Sequence, residues 1–582
     1  MNQRAPADGL APRPAPPGAR QGAFTFVLHS HLPYARMAGR WPHGEEWIHE
    51  AATETYLPLL SALHDLAAEG VRYKLTIGIT PVLAEQLADS DVLRNFEEYA
   101  DDLRQRAASD VDRFERSGEP RRAAVAAFYR DRLAALLDQF RHRFGRDFIG
   151  AFRSLQDQDL VELAASAATH GYLPLFERDS SIYAQVRTGV RTYERHFGRR
   201  PKSFWLPECA YRPAYVQADG VRKPGLEEFL AAQGVEVFFV ETHAILGGQP
   251  MGKAAGDAVG PYGEIPRRYT VPLAEGTPPT QRTTFQAYWV ASPRVAAIGR
   301  NTATGLQVWS ADHGYPGDFL YREFHKKDGE SGLHYWRVTG ARVDLAMKDL
   351  WDPAPAFAQA EEHARHYTAL IESQAAEYRA ASGRYGIVSA AYDTELFGHW
   401  WFEGVHWLKE VLRNLARSET VDMTGAAQYV EEHPPEDVVA LPESSWGQQR
   451  NHFTWHNADT EWMWPVINGA QRRIEDVVER HARHAPAEAR GALAQCGREL
   501  LLLESSDWPF LVTTGQAREY AELRFREHVE RFERLAAQVE SGAIDHAYVQ
   551  RLWERDRLFP DIEVQDFRAR EGMASAPIGT LQ

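Results

Sequence analysis

Carboxylates and imidazoles follow short apolar runs at several points in the chain. FTFVLHSH (24–31) ends in His29 and His31, FWLPECAY (204–211) sets Glu208 behind Leu206 and Pro207, and AAYDTE (390–395) carries Asp393 and Glu395. Glu241 and His243 follow VEVFFV (235–240), and Asp312 and His313 follow LQVWS (306–310). When apolar strands run parallel, the residues that follow them gather on one rim of the sheet, where several strands together can build a site. Two such acids, Glu208 and Asp393, suit paired-carboxylate chemistry, in which one attacks an anomeric carbon and the other protonates the departing oxygen from about 5–5.5 Å away. Taken singly, either acid could instead be a salt-bridge partner or a helix cap. His29 and His31 share one face of an extended strand because they are two residues apart. They could ligate a metal, hydrogen-bond sugar hydroxyls or simply be satisfied by neighbours, and a zinc site would need further ligands that spacing alone does not supply.

The chain holds 16 Trp and 23 Tyr against 7 Met. AAYDTELFGHWWFEGVHW (390–407) contains Trp400, Trp401 and Trp407, and SSWGQQRNHFTWHNADTEWMW (444–464) adds Trp446, Trp455, Trp462 and Trp464. Sugar rings offer flat C–H faces to aromatic rings, and their hydroxyls need the Asp, Glu, Asn, Gln and His interleaved here. Trp309, Trp400, Trp446 and Trp455 are the candidate sugar-facing aromatics. A groove for single-stranded nucleic acid would interleave such rings with Lys and Arg, which these windows largely lack.

The elements that must position these groups are short β-type runs at 23–29, 72–77, 148–152, 203–206, 235–240, 306–310 and 386–391, with a possible extra strand at 286–290. Their alternation with helical sequence predicts an α/β fold, a closed or nearly closed parallel barrel of about seven strands. The segment 86–147, dense in Ala, Arg, Asp and Leu, reads as inserted amphipathic helices. The Gly- and Pro-rich 247–280 reads as a long lid loop. Residues 23–440 thus form the expected catalytic barrel and 441–575 a helical C-terminal domain closing against it. Residues 1–22, rich in Pro, Ala and Gly and without an apolar core, are expected to be a disordered leader rather than a secretory signal.

A formal charge of -16 argues against nucleic acid or an anionic membrane as partner, since both reward clustered Lys and Arg. Cys209 and Cys496 are the sole cysteines, so no disulfide framework is available and a reducing cytoplasm is expected. No apolar run is long enough to span a bilayer.

Five windows in order, HSHLPY (29–34), GITPVLAEQL (78–87), FWLPECAY (204–211), AAYDTELFGHWWFEG (390–404) and SSWG (444–447), resemble glycoside hydrolase family 57, and within it the 1,4-α-glucan branching enzymes. The resemblance runs from about residue 24 to about 560. It implies an incomplete (β/α)7 barrel with a helical C-terminal domain, Glu208 as nucleophile and Asp393 as general acid/base. It also implies that no cofactor or metal is needed, which makes His29 and His31 substrate contacts. Further substrate contacts implied are Arg300, Gly317, Trp446, Asp507 and Gln516, with Tyr262 at the lid tip. The expected activity is retaining cleavage of an α-1,4-glucan and transfer to a 6-hydroxyl, as in glycogen biosynthesis. The expected partners are α-1,4-glucan donor and acceptor chains, with no nucleic acid and no membrane, the chain acting as a monomer. The rivals are an amylase or 4-α-glucanotransferase of the same family, a zinc-dependent carbohydrate enzyme built on His29 and His31, and a catalytically silent glucan-binding protein.

Overall fold

The computed structural model describes residues 20–247, the backbone of 258–260 and 263–265, and residues 282–291, 295–309, 314–340, 342–447, 452–482 and 486–570. Tyr262, Asp312, His313 and most of the expected lid therefore lie outside the described residues.

Seven parallel strands form the central sheet: β1 Gly22–Ser30, β2 Leu75–Ile79, β3 Val161–Ser166, β4 Ser203–Trp205, β5 Val237–Val240, β6 Ala296–Gly299 and β7 Gly386–Asp393. Their order is β7-β1-β2-β3-β4-β5-β6. Every residue of β1 is buried, as expected for a strand with packing on both faces. The sheet curls without closing, because the outer edge of β6 is taken by the antiparallel strand Ala287–Val290 instead of β7. Two backbone bonds cross the seam near β7, Asn301 N–H to the Ser389 carbonyl and Ile387 N–H to the Phe285 carbonyl, each 2.9 Å. The fold is an incomplete (β/α)7 barrel.

Two of the expected strands are helical. FIGAF (148–152) lies in the helix Phe148–Asp157, capped by the Asp147 carboxylate, which accepts from Gly150 N–H at 2.7 Å. Its buried residues Phe148, Ile149, Phe152 and Leu155 recur at helical spacing, and the true strand is β3, further on. LQVWS (306–310) falls largely in the helix Thr302–Trp309, which starts where Asn301 Oδ1 accepts from Thr304 N–H at 3.0 Å. The strand in that region is the earlier β6. The run at 286–290 is a strand, but antiparallel.

Between β2 and β3 the long helices α1 (Ser90–Ser117) and α2 (Pro120–Asp138) pack along each other. After β7 come α3 (Gly404–Leu415), α4 (Met463–His481), α5 (Ala487–Leu503), α6 (Asp507–Thr514), α7 (Arg518–Ser541) and α8 (His546–Arg555). Trp401 and Trp407 are buried packing residues. Trp407 stacks on Phe397 at 5.7 Å and abuts Tyr367 at 4.8 Å, so neither tryptophan offers a face to a ligand.

The C-terminal helices are fastened to the loop after β1. The buried Arg36 donates to Asp91 at 2.6 Å and to the carbonyls of Glu554 and Arg555 at 2.6 and 2.8 Å, and lies 3.0 Å from Asp89. Tyr34 donates to the Arg555 carbonyl at 3.2 Å. Behind this joint Glu499, His528 and Asp556 lie buried together, the one group of three such side chains among the described residues close enough to hold a metal ion. Arg524 sits 3.1 Å from His528 and Arg531 is 2.9 Å from Asp556, so the cluster reads as an ion-pair network whose positive charge the guanidiniums already supply. Arg36→Ala would remove the buried guanidinium from this joint, while Arg557 and Arg94 still serve the two carboxylates and Tyr34 the Arg555 carbonyl, so it should lower stability by about 1–3 kcal/mol. Urea unfolding measures this, and a loss under about 1 kcal/mol would show the joint to be dispensable.

Candidate active site

Glu208 follows β4 through Leu206 and Pro207, and its backbone is left-handed, with φ 61° and ψ 25°. Left-handed backbone is uncommon for a residue with a side chain, and such outliers collect at functional sites. The segment 444–446 holds it there. Tyr211 N–H donates to the Ser444 carbonyl at 2.8 Å, Ser444 N–H returns to the Tyr211 carbonyl at 3.0 Å, and Trp446 N–H reaches the Glu208 carbonyl at 3.1 Å. The carboxylate is steered as firmly as its backbone. Trp446 Nε1–H donates to Oε2 at 2.6 Å, Ser506 Oγ lies 3.5 Å from Oε1, and His170 Nδ1 is 3.8 Å from Oε1. Its side chain keeps 14% exposure, so the carboxylate is not sealed off.

Three imidazoles stack beside it. His31 lies on His170 with ring centroids 3.9 Å apart, and His29 lies on Trp205 at 4.6 Å. His29 Nε2 is 3.1 Å from His170 Nε2, and His170 Nδ1 is 3.0 Å from Ser506 Oγ. Both His31 nitrogens are engaged, Nδ1 with Thr80 Oγ1 and Nε2 with Asp507 Oδ1, each at 3.0 Å. Burial alone would depress the His31 pKa, but the bonded Asp507, with Glu208 nearby, leaves it raised. Burial drives His170 well below its ordinary value, and its two histidine neighbours push it the same way. Of the two stacked rings, His31 is thus the more readily protonated.

Asp393 ends β7 in register with His29 on β1. Two residues on, the buried Glu395 accepts from the Tyr56 hydroxyl and, at 3.3 Å, from His31 N–H. Burial pushes its pKa up to about 8; the Tyr56 hydrogen bond opposes this and the Asp393 charge adds to it. Glu395 is therefore a neutral acid at pH 7, beside a second carboxyl. The next turn relies on Gly398, whose φ is 102° and where a Cβ would overlap the Glu54 carbonyl oxygen.

Glu208, His29, His31, Trp446 and Asp507 are thus brought together, with Asp393 and Glu395 on the neighbouring strand end. Arg300 follows β6 and pairs with Glu241 at 2.7 Å. Trp309 and Trp400 pair at 6.3 Å, with Trp309 largely buried. Gly317 closes the short turn Tyr315–Gly317. Gln516 follows α6, and both its amide atoms are buried without hydrogen-bond partners among the described residues. Trp455 is 1% exposed and stacked on Tyr172 at 4.3 Å, so it supports the wall from behind and presents no face to a sugar. His170, Ser506, Tyr56 and Thr80 are additions. His170 stands in SAATHGY (166–172), just after β3, and placing that strand at 148–152 hid it.

The family model for glycosyl hydrolase family 57 matches residues 25–442, and the model for the 1,4-alpha-glucan branching enzyme C-terminal region matches 466–567. The chain is 45% identical over 553 residues to the 1,4-alpha-glucan branching enzyme of Thermococcus kodakarensis, covering 94% of this chain and 78% of that one. The crystal structure of a GH57-type branching enzyme from Pyrococcus horikoshii superposes with a TM-score of 0.83 at 40% identity, over 95% of this chain and 97% of the other. The α-amylase AmyC of Thermotoga maritima superposes with a TM-score of 0.78 at 30% identity, over 94% and 99%.

The raised pKa of Glu395 has a signed effect on stability. Between the ordinary glutamate value and about 8 the folded chain holds a proton that the unfolded chain has lost, so this contribution is full below that window and fades as pH rises through it. Glu395→Gln, which mimics the neutral acid, should therefore flatten the loss of stability between pH 5 and pH 8. Urea midpoints at the two pH values test this, and an unchanged difference between wild type and variant would count against the assignment.

Proposed function

We propose that this chain, which belongs to glycosyl hydrolase family 57, is a 1,4-α-glucan branching enzyme that cleaves an α-1,4-glucan with retention and transfers the segment to a 6-hydroxyl. Glu208 attacks the anomeric carbon while protonated Asp393 gives its proton to the departing oxygen, leaving a covalent glycosyl ester on Glu208. Asp393, now a base, takes the proton of an acceptor 6-hydroxyl, whose oxygen displaces Glu208 and forms the α-1,6 bond. The free carboxylate and the protonated acid are thereby restored.

The observation that carries this reading is the cradle of Glu208. Hydrogen bonds from Trp446 and Ser506 favour the ionised carboxylate a nucleophile needs, and the nearby His31, whose pKa is raised, acts in the same sense when protonated. The same donors fix its direction, so little reorganisation is needed at the moment of attack. Water competes for the glycosyl ester, and the wall of Trp205, Trp446 and stacked imidazoles supports a site that limits it. His29 and His31 belong to this wall as substrate-side contacts, through their stacked rings. His29 Nε2 is taken up by His170, and the two His31 nitrogens by Thr80 and Asp507, which weakens the zinc reading.

The remaining candidates, Arg300, Trp309, Gly317, Trp400, Asp507 and Gln516, form the further substrate contacts in this reading. The division into a catalytic barrel, 23–440, and a helical domain, 441–575, is part of it too, and the ranges of the two family models support that division. The setting proposed is cytoplasmic glycogen synthesis by a monomer; the two free cysteines fit it, and among the described residues no helix is long and apolar enough to cross a membrane.

The amylase of Thermotoga maritima has nearly the same fold, so fold alone does not separate branching from hydrolysis. The higher identity to branching enzymes and the match to their C-terminal model favour branching. Incubation with amylose, with new α-1,6 linkages counted by proton NMR, decides between them; shortening of the chains without new linkages would make the protein an amylase. Glu208→Gln should abolish the glycosyl ester and retain glucan binding. Asp393→Asn should lower turnover by about 10²–10⁴, and substantial branching by either variant would overturn the assignment of that residue.

A further inference from the structure

A cavity of about 750 Å³ lies between α1, α2, the segment 46–54 and the loop 322–334. Its volume is within the range of small-molecule sites. Glu208, Asp393, His29, His31 and Trp446 are not among the described residues that line it, so it is separate from the catalytic carboxylates. One wall is shared. In the turn Ala52–Tyr56, Tyr56 reaches Glu395 in the active site, while Glu54 lines the cavity and bonds Arg322 and His399, each at 2.9 Å.

The lining carries five cations and five carboxylates. Four of each are paired, Arg322 with Glu54 at 2.9 Å and Lys327 with Glu50 at 3.6 Å among them. The fifth cation, Arg132, lies over the Phe402 ring at 4.9 Å and has no hydrogen bond or ion pair to a described residue. The fifth carboxylate, Glu46, has none either, and burial together with Glu50 raises its pKa. His49 is buried, with Nε2 unbonded and 3.8 Å from Glu45, and burial holds its pKa down to about 4, so the ring is neutral. A phosphate or carboxylate ligand would meet as many carboxylates as cations, and a metal ion as many cations as carboxylates. A neutral ligand rich in hydroxyls can instead donate to Glu46, accept from Arg132 and bond His49, with the Tyr99 and Phe324 rings as flat apolar walls.

We infer that this cavity is a second carbohydrate-binding site, which holds a non-reacting stretch of α-glucan chain. The identity of the sugar polymer rests on the branching reading; the chemistry of the pocket does not. A chain held there stays beside the cleft through the life of the glycosyl ester, and that tethering raises the local concentration of glucan hydroxyls over what diffusion alone supplies.

The test is calorimetric titration of the full-length Glu208→Gln protein with maltoheptaose, a short linear α-1,4-glucan. Two sites are expected. Adding Arg132→Gln should weaken one of them by about tenfold and leave the other unchanged. Glu46→Gln, on another wall, should do the same, and it keeps the question open to test if the Arg132 variant fails to fold. In otherwise wild-type protein, either change should raise KM for amylose at unchanged kcat. A single site in Glu208→Gln, or two sites indifferent to both changes, overturns the inference even if branches form. Two sites with the expected sensitivity sustain carbohydrate binding in the cavity even if amylose yields no branches, in which case the branching reading alone falls.

Discussion

The main chain at Glu208 is wound left-handed, a conformation that costs a residue with a side chain about 1–3 kcal/mol and persists only where its surroundings over-determine it. Those surroundings are the ladder to 444–446, which bonds Glu208 itself and Tyr211 three residues on, and places the Trp446 indole against the carboxylate. The strand before it is short, with three residues in β4, and Pro207 cannot donate to a neighbour. The chain is therefore released from the sheet at the point where it must turn toward the cleft. The stacked imidazoles, Ser506 and Asp507 are all arranged around the direction that this one bend imposes.

Much of this could be read from the residues, because strand ends in a parallel sheet converge on a rim and the acids there carry their own label. Glu208, Asp393, His29 and His31 were legible for that reason. β3 was not, since VELAAS carries a glutamate in its second position and lacks the β-branched density that marks a buried strand. Glu162 is tolerated there because its carboxylate accepts from Ala427 and Gln428 N–H at the start of the helix Ala426–Glu432, a partner more than 260 residues away. FIGAF and LQVWS failed in the opposite sense. A short apolar run does not reveal its period, and the capping residues Asp147 and Asn301 tipped both toward helix. Tyr56 and Ser506 had no local signal, as each acquires its role from a residue hundreds of positions away.

The aromatic content divides by depth more than by position in the chain. Trp401 and Trp407 fill the space between β1, β7 and the helices outside them, whereas Trp446 bonds the carboxylate and the buried Trp205 backs it, packed on Trp446 and His29. Neighbours in sequence thus serve separate ends. The window around 400 builds the scaffold, with Trp400 its half-buried member, and the window around 446 builds the site. A tryptophan count alone could not have separated the two.

The groups that complete Glu208 come from residues 444–446 and 505–507, and the helices that carry the last of these are tied down by α8, at the end of the described chain. A polypeptide leaves the ribosome from its N-terminus, so the barrel strands up to β7 emerge before any of these partners. During synthesis the nascent barrel carries Glu208 without the indole, the hydroxyl or the aspartate that surround it. The order of the sequence therefore acts as a delay, leaving the site incomplete until residues 505–507 have been made and have folded onto the barrel.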